Sequence, residues 1–251
     1  VNFKEERLRN GYELTIGGSP IKNKDFQWDI LTNWGHDKYS YFKIDPDYST
    51  KKPWVKKGES WDWFDIYDWD RDPDGNIIHN GGIPVKQNFK TKVGNLTPDL
   101  VWGITNTFRY KNFDLALQAT GQFGFKIINQ QRVFYENNAH AYNKLKSAAD
   151  KIGGIRPLSA QQVQAVTSYY IEDGDYFKLT NMTLGYTFDF KHSPYVKTLR
   201  LYGSIDNVFT ITKYKGTDPE LGSNNFWYAG VDDRDKYPTV RSFTVGLNVT
   251  F

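Results

Sequence analysis

The sequence predicts an all-β fold, the C-terminal portion of a transmembrane antiparallel β-barrel with about seven long strands and long extracellular loops. Three observations predict it: strand-length segments alternate apolar and polar residues, connections alternate short and long, and 17% of the residues are aromatic against 39% hydrophobic overall. A membrane barrel accounts for this composition, because aromatic girdles mark both lipid interfaces and half of each strand faces a polar lumen.

Alternation is clearest in the last strand. Side chains of a strand point alternately to opposite faces, so one face is apolar here and the other is small and polar. The apolar face carries Phe243, Val245, Leu247, Val249 and Phe251, and the other carries Ser242, Thr244, Gly246, Asn248 and Thr250. Similar segments occur at 12–16, 26–34, 102–110, 113–123, 178–188 and 199–206. In the 102–110 segment Asn106 interrupts the apolar face, and in the 178–188 segment Leu179 and Thr180 fall on the polar and apolar faces respectively.

The connections between these segments fall into two classes, short and long. Those at 20–25, 110–113 and 191–195 are short, whereas roughly 43–98, 124–170 and 213–240 are long. Outer-membrane barrels have short periplasmic turns and long extracellular loops, so we expect the short turns on the periplasmic side. The second long segment contains two predicted helices, Ala139–Asp150 and Ser159–Ser168.

Several classes of protein are disfavoured by composition. The absence of cysteine removes disulfides, thiolate metal sites and thiol nucleophiles. A net charge of +3, from 32 basic and 29 acidic residues, gives no reason to expect nucleic acid as a partner. The four histidines are scattered, and no catalytic motif is evident, so we expect no enzyme activity. Residues 1–7 have no apolar signal region, and seven strands are too few for a wide lumen. We therefore expect further strands upstream or on another chain.

Several motifs together resemble the SusC-like (SusC/RagA) family of TonB-dependent outer-membrane transporters. They are Gly94-Asn95-Leu96-Thr97-Pro98-Asp99, the run from Tyr170 to Tyr186, Asp206-Asn207-Val208-Phe209, Asp218-Pro219-Glu220, Tyr237-Pro238 and the terminal Phe-x-Val-x-Leu-x-Val-x-Phe strand. The resemblance covers about 95–251 well and 11–93 more loosely.

That resemblance implies a 22-stranded barrel with an N-terminal plug, a TonB protein that supplies energy through the plug, and a SusD-like surface lipoprotein. It also implies oligosaccharide or peptide cargo. Residues 1–251 would be a C-terminal barrel segment without a plug domain. Its partners would be the remaining barrel and plug segment, the lipoprotein, the barrel assembly machinery and the lipid bilayer of a Gram-negative outer membrane.

One acidic turn is a candidate calcium site. Asp70, Asp72 and Asp74 precede Gly75 in the D-x-D-x-D-G pattern that begins a calcium loop, but Gly81 stands where an EF-hand requires Glu. A solvated acidic turn is the alternative.

Loop aromatics are candidate contacts for cargo or a partner, because exposed rings stack on sugars and anchor protein interfaces. Their alternative role is loop packing or a place in a girdle. The group comprises Trp54, Trp61, Trp63, Trp69, Phe226, Trp227 and Tyr228.

Two further sets of residues have expected roles. Arg200, Asp206, Arg109 and Asp114 are predicted on lumen faces, where they could pair or line the cargo path. The alternative, which we prefer because lumen-facing charges are ordinary in such barrels, is that they have no specific role. The apolar face that ends at Phe251 resembles the signal read by the barrel assembly machinery.

Other functions remain open from the residues alone. A soluble all-β carbohydrate-binding module would bury both sheet faces, and a passive porin-like barrel or adhesin would have neither plug nor lid. A glycosidase needs a pair of carboxylates, and nothing in the sequence singles one out.

Overall fold

A computed structural model describes residues 4–46, 55–62, 64–80, 83–135, 168–220, 230–232, 237 and 239–251. Its strands are β1 (Glu6–Lys22), β2 (Phe26–Lys43), β3 (Phe64–Trp69), β4 (His79–Asn80), β5 (Ile83–Pro84), β6 (Lys86–Val93), β7 (Leu100–Tyr110), β8 (Phe113–Phe123), β9 (Lys126–Asn129), β10 (Ile171–Asp173), β11 (Tyr176–Asp189), β12 (Thr198–Thr212), β13 (Val231–Asp232) and β14 (Ser242–Thr250). A short helix, α1, spans Gln130–Tyr135, and a 3₁₀ turn spans Ser168–Tyr170. In this part of the chain no helix has the length and apolar character needed to cross a membrane. Apart from Ser168, the predicted helices Ala139–Asp150 and Ser159–Ser168 lie outside the described residues.

Seven long strands form one antiparallel sheet in the order β1-β2-β7-β8-β11-β12-β14. They are the seven predicted strands. With 17 and 18 residues, β1 and β2 exceed the ~9–11 residues that a barrel strand needs to span a bilayer. The prediction ended β2 at residue 34 because residues 35–43 are polar or aromatic on both faces, which hides the alternation.

All the short turns lie at one edge of this sheet. Tyr110 pairs with Phe113 across a two-residue turn, and Thr198 of β12 pairs with Thr250 at the same edge. In the β1–β2 turn the Asn23 side chain accepts hydrogen bonds from the amides of Asp25 and Phe26, at 3.1 and 2.8 Å. The long connections leave from the opposite edge. The predicted sorting of connections by length is therefore confirmed.

Each long strand presents one apolar and one polar face. Leu201 pairs with Leu247 on one face of the β12–β14 ladder, and Arg200 pairs with Asn248 on the other. On the apolar face Leu247 is 63% exposed and Val245 is 81% exposed, with no second layer over them among the described residues. A soluble sandwich buries this face against a second sheet, whereas a membrane barrel turns it toward lipid.

Aromatic rings form two rows across the apolar face. One row joins Trp34 to Trp102 (5.8 Å between ring centroids) and Trp102 to Phe177 (5.9 Å). The other includes Trp28 and Phe108, whose centroids are 5.9 Å apart. Phe26 and Trp34 of β2 are eight positions apart, or ~27 Å along a strand, which is ~20 Å of height at a typical barrel tilt. The two rows therefore match the girdles that border the ~25 Å apolar band of a membrane barrel.

Polar groups on the apolar face form hydrogen bonds with one another. Trp28 donates its indole N–H to Asn106 at 3.0 Å. Trp102 donates to the Thr32 hydroxyl at 3.1 Å, and Thr32 in turn donates to the carbonyl of Gly103 at 2.9 Å. The Asn106 that interrupts the apolar pattern is therefore the hydrogen-bond acceptor for a girdle tryptophan.

Candidate functional site

A β-bulge in β11 corrects the predicted faces of its first residues. The register of β11 shifts between Leu179 and Asn181 against both neighbouring strands. Leu179 pairs with Ala119 on the apolar face, so the prediction that placed Leu179 on the polar face is wrong, while Thr180 has no partner in the register of either neighbouring strand. The physical reason is the extra residue, because a one-residue shift moves every side chain before it to the other face.

This bulge turns Lys178 to the polar face, where it is buried. Its ammonium lies 3.2 Å from an Asp218 carboxylate oxygen and 2.8 Å from one of Glu220. Asp218 also accepts a hydrogen bond from Thr239, at 2.5 Å. These contacts hold the segment after β12 and the segment before β14 against the polar face of the seven-stranded sheet. The Asp-Pro-Glu motif at 218–220 therefore has a structural role at the base of the last long loop.

The Asp206-Asn207 motif has a similar role at the bulge. Asn207 has a positive φ of 52° and donates its side-chain amide to the carbonyl of Val240 at 2.6 Å. Arg241 donates to the Asn207 carbonyl at 3.1 Å, and Asp206 accepts from the Asn181 amide at 2.7 Å. The motif thus ties β12 to β11 and to the start of β14.

Charged side chains on the polar face pair across strands. Arg200 binds Asp114 in bidentate fashion, at 2.9 and 2.5 Å, across β11. Gly185 lies beneath the pair, since a Cβ there would be 2.6 Å from both groups. Arg109 pairs with Asp29 at 3.1 Å. The predicted lumen placement of these residues agrees with the strand register.

A second buried cluster joins the loops above the sheet. Tyr214 donates its hydroxyl to Asp232 at 2.6 Å, and Arg132 forms an ion pair with Glu172. Asn129 accepts from the Arg132 amide at 3.0 Å, as the N-cap of α1. Burial, reinforced by the bond to Asp232, raises the pKa of the Tyr214 phenol far above its usual range. No pattern in the sequence predicts this cluster, because its members come from two separate long connections, that between β8 and β11 and that between β12 and β14.

Two of the predicted loop aromatics are in the described structure. Trp69 is 4% exposed, and Trp61 packs edge-on against Tyr39, 4.9 Å between centroids. Both side chains pack against other residues of the protein, as the alternative role in loop packing requires. The other five aromatics, Trp54, Trp63, Phe226, Trp227 and Tyr228, lie outside the described residues. Contact of the group with cargo or a partner stays a prediction.

The acidic turn is organised by hydrogen bonds within itself. One Asp72 oxygen accepts from the amides of Asp74 and Asn76, at 3.0 and 2.9 Å, and Asp70 accepts from the amide of Arg71, at 3.1 Å. The hydrogen bonds that Asp72 accepts, chiefly those from Asn76, hold the pKa of its carboxyl below its usual range. Within the described ranges no three His, Asp or Glu side chains come close enough to share a metal ion. Calcium at Asp70, Asp72 and Asp74 stays a prediction.

The terminal strand presents its predicted apolar face outward. The exposed fractions are 72% for Phe243, 63% for Leu247, 37% for Val249 and 76% for Phe251. This exposure fits a strand recognised during assembly, and that role of Phe243, Val245, Leu247, Val249 and Phe251 stays a prediction.

Comparisons with known proteins agree with this architecture. The TonB-dependent receptor P3 of Formosa agariphila is 29% identical over 98% of this chain, and the TonB-dependent receptor SusC of Bacteroides thetaiotaomicron is 28% identical over all of it. The chain spans 29% and 28% of the length of these relatives. The RagAB peptide importer in its open-open state superposes with a TM-score of 0.75 at 20% identity, over 98% of this chain and 29% of that one. No family model matches.

The sheet, with one exposed apolar face and one polar face, has the architecture of the wall of an antiparallel transmembrane β-barrel, and the likeness to the RagAB structures shows the same fold. The relatives are TonB-dependent receptors, SusC among them, and the chain is similar to them over nearly its whole length, which confirms the resemblance seen in the sequence motifs.

Proposed function

We propose that the protein containing this chain imports oligomeric nutrients, glycan or peptide, across the outer membrane of a Gram-negative bacterium, as a TonB-dependent transporter. One observation carries the proposal: the two-faced sheet, with its exposed apolar face and its polar face of paired charges, matches receptors of this kind over nearly its full length. In this role the polar face lines the cargo path, and the long connections face the outside of the cell.

The assembly that we propose has three further parts. A plug within the barrel responds to TonB, the remaining strands close the barrel, and a SusD-like lipoprotein covers the extracellular mouth. The resemblance to the SusC-like family supports all three. The similar RagAB structures are those of a peptide importer, which supports cargo of oligomer size.

Purification and uptake test this proposal together. Outer membranes are solubilised in detergent, the protein is purified through a tag next to Phe251, and co-purifying proteins are identified by mass spectrometry. We expect a plug-bearing barrel segment and a surface lipoprotein, and we expect that deleting TonB abolishes uptake. A chain that stays soluble without detergent would overturn the proposal in favour of a binding module. Uptake that survives TonB deletion would favour a passive barrel.

A further inference from the structure

A row of aromatic rings borders the short turns on the apolar face. Phe113 of β8 contacts Tyr186 of β11 edge-on, with 4.6 Å between ring centroids, and Tyr186 contacts Phe188 at 4.7 Å. These rings extend the row that includes Trp28 and Phe108 across two more strands. A girdle of this kind marks the level at which the headgroups of a bilayer meet its acyl chains.

One lysine lies beyond this row at the β7–β8 turn. The Lys111 ammonium is 5.5 Å from the centroid of the Tyr110 ring. Tyr110 pairs with Phe26 on one side and with Phe113 on the other, so it belongs to the apolar face. The ammonium of Lys111 is therefore held on the side of the sheet that carries the rings.

A second lysine lies on the same side, immediately before β12. Phe190 donates its amide to the carbonyl of Lys197 at 2.9 Å, which continues the β11–β12 ladder past its last strand pair. Leu199 pairs with Phe188 on the apolar face. Because side chains alternate along a strand, Lys197 and Phe190, each two residues further toward the turn, belong to that face as well.

The acidic residues of this edge face the other way. By register Asp29, Asp114 and Asp189 belong to the polar face, and the first two form ion pairs with arginines there. Within the described ranges neither Lys111 nor Lys197 forms an ion pair. Two positive charges are thus left without a carboxylate partner at the level of the headgroups.

The two lysines flank the rings of β8 and β11. They are two to three strands apart, which is ~10–14 Å at the usual spacing of strands. A lysine stem can lie along apolar surface while its ammonium reaches the phosphate layer. Basic groups beside a bilayer attract anionic lipids, whereas a zwitterionic headgroup carries an ammonium of its own that offsets the attraction.

We infer that Lys111 and Lys197, with the rings between them, bind the phosphate groups of anionic phospholipids in the leaflet on the side of the short turns. The charge complementarity and the position next to the ring row carry this inference. It rests on the membrane-spanning wall of the proposed function and adds a lipid ligand to it.

The composition of the lipid next to the rings tests the site. The full-length receptor, otherwise free of cysteine, carries a bimane fluorophore on Phe190→Cys and is reconstituted into phosphatidylcholine nanodiscs. A minor fraction of brominated phosphatidylglycerol, or of brominated phosphatidylcholine with the same acyl chains, quenches the fluorophore. The ratio of the two gives the local preference for the anionic lipid. Inorganic phosphate, at constant ionic strength, is the soluble competitor.

Two pairs of substitutions remove the same charge from different places. Lys111→Gln with Lys197→Gln removes it from the proposed site. Lys22→Gln with Lys90→Gln is the matched control, since Lys22 pairs with Gln27 on the polar face and Lys90 lies in β6, outside the seven-stranded sheet. Lys111→Arg with Lys197→Arg keeps the charge. Heat-modifiable migration on gels verifies that each variant is folded.

We expect the wild type to prefer phosphatidylglycerol by at least about 10-fold, since each lysine contributes about 5-fold. The preference should fall to within about 2-fold of equal in Lys111→Gln with Lys197→Gln, and it should persist in the control and in the arginine pair. No preference in the wild type, a preference that survives Lys111→Gln with Lys197→Gln, or an equal loss in the control would overturn the lipid site. Loss of the preference in millimolar phosphate would also overturn it and assign the lysines to a soluble anion.

Failure of the lipid site and failure of the proposed function give different results. A receptor that inserts into nanodiscs but shows no local preference rejects the lipid site alone. A receptor that stays in solution without detergent or lipid rejects the membrane-spanning wall, and with it both the lipid site and the proposed import.

Discussion

Replacing Lys178 with methionine should release the last long loop from the wall. The substitution keeps the length of a side chain that is 4% exposed but removes the charge facing Asp218, which is 7% exposed. Losing one partner of a buried ion pair costs about 3–5 kcal/mol. We expect the lower end, about 3 kcal/mol, because Asp218 keeps its bond to Thr239 and Glu220, 38% exposed, can rehydrate. That corresponds to a roughly 100-fold larger open population.

Hydrogen exchange of the amides at 216–220 and 239–241, in the detergent-purified protein, measures that opening. Lys213→Met is the matched control, since Lys213 is exposed in the same connection, and it should change exchange by less than about 2-fold. Adding Asp218→Asn to Lys178→Met should restore part of the protection, because no uncompensated buried charge then remains and Glu220 is exposed enough to rehydrate. Equal exchange in Lys178→Met and the control, or no recovery in the double variant, would refute the role of the ion pair.

Three further predictions concern the wall and the loops. Gly185→Ala should break the Arg200–Asp114 pair and destabilise the barrel by about 1–3 kcal/mol in denaturant unfolding, whereas Gly203→Ala should not. Tyr214→Phe should cost about 1–3 kcal/mol locally, seen as faster exchange at 127–129. Because the folded pKa is raised, this wild-type contribution is present below pH ~10 and is lost as the pH rises further. If calcium binds the acidic turn, a chelator should speed proteolysis of the wild-type loop, but not of a variant with Asn at Asp72 and Asp74. Equal proteolysis throughout would reject calcium there.

The sequence predicted the wall because a strand's period of two is a local signal. Each long strand alternates visibly, and the short turns follow from the small number of residues between strands. The faces of β12 and β14 could therefore be assigned residue by residue, over 199–206 and 242–251. Asn106 looked like a defect in the pattern, although the structure gives it a hydrogen-bond role with Trp28.

The remaining features depend on contacts between distant residues. No sequence pattern indicates the extra residue at the β11 bulge. Because that residue reverses the faces of the residues before it, the alternation could not assign Lys178 to the polar face. Asp114 and Arg200 are 86 positions apart, and their pairing needs the strand order to be known. The cluster around Tyr214 joins separate loops, whose relative positions no local pattern specifies.

Which face of the sheet meets lipid is the claim on which the transporter account depends. The 251 residues contain no cysteine, so single cysteines at Leu201 and Leu247, or at Tyr202 and Asn248, add one thiol to this segment. Spin labels at these positions, in the protein reconstituted into bilayers, report access to lipid-soluble oxygen and to a water-soluble nickel chelate. The account predicts oxygen access at Leu201 and Leu247 and nickel access at Tyr202 and Asn248. Equal nickel access at all four positions would contradict a membrane-spanning wall.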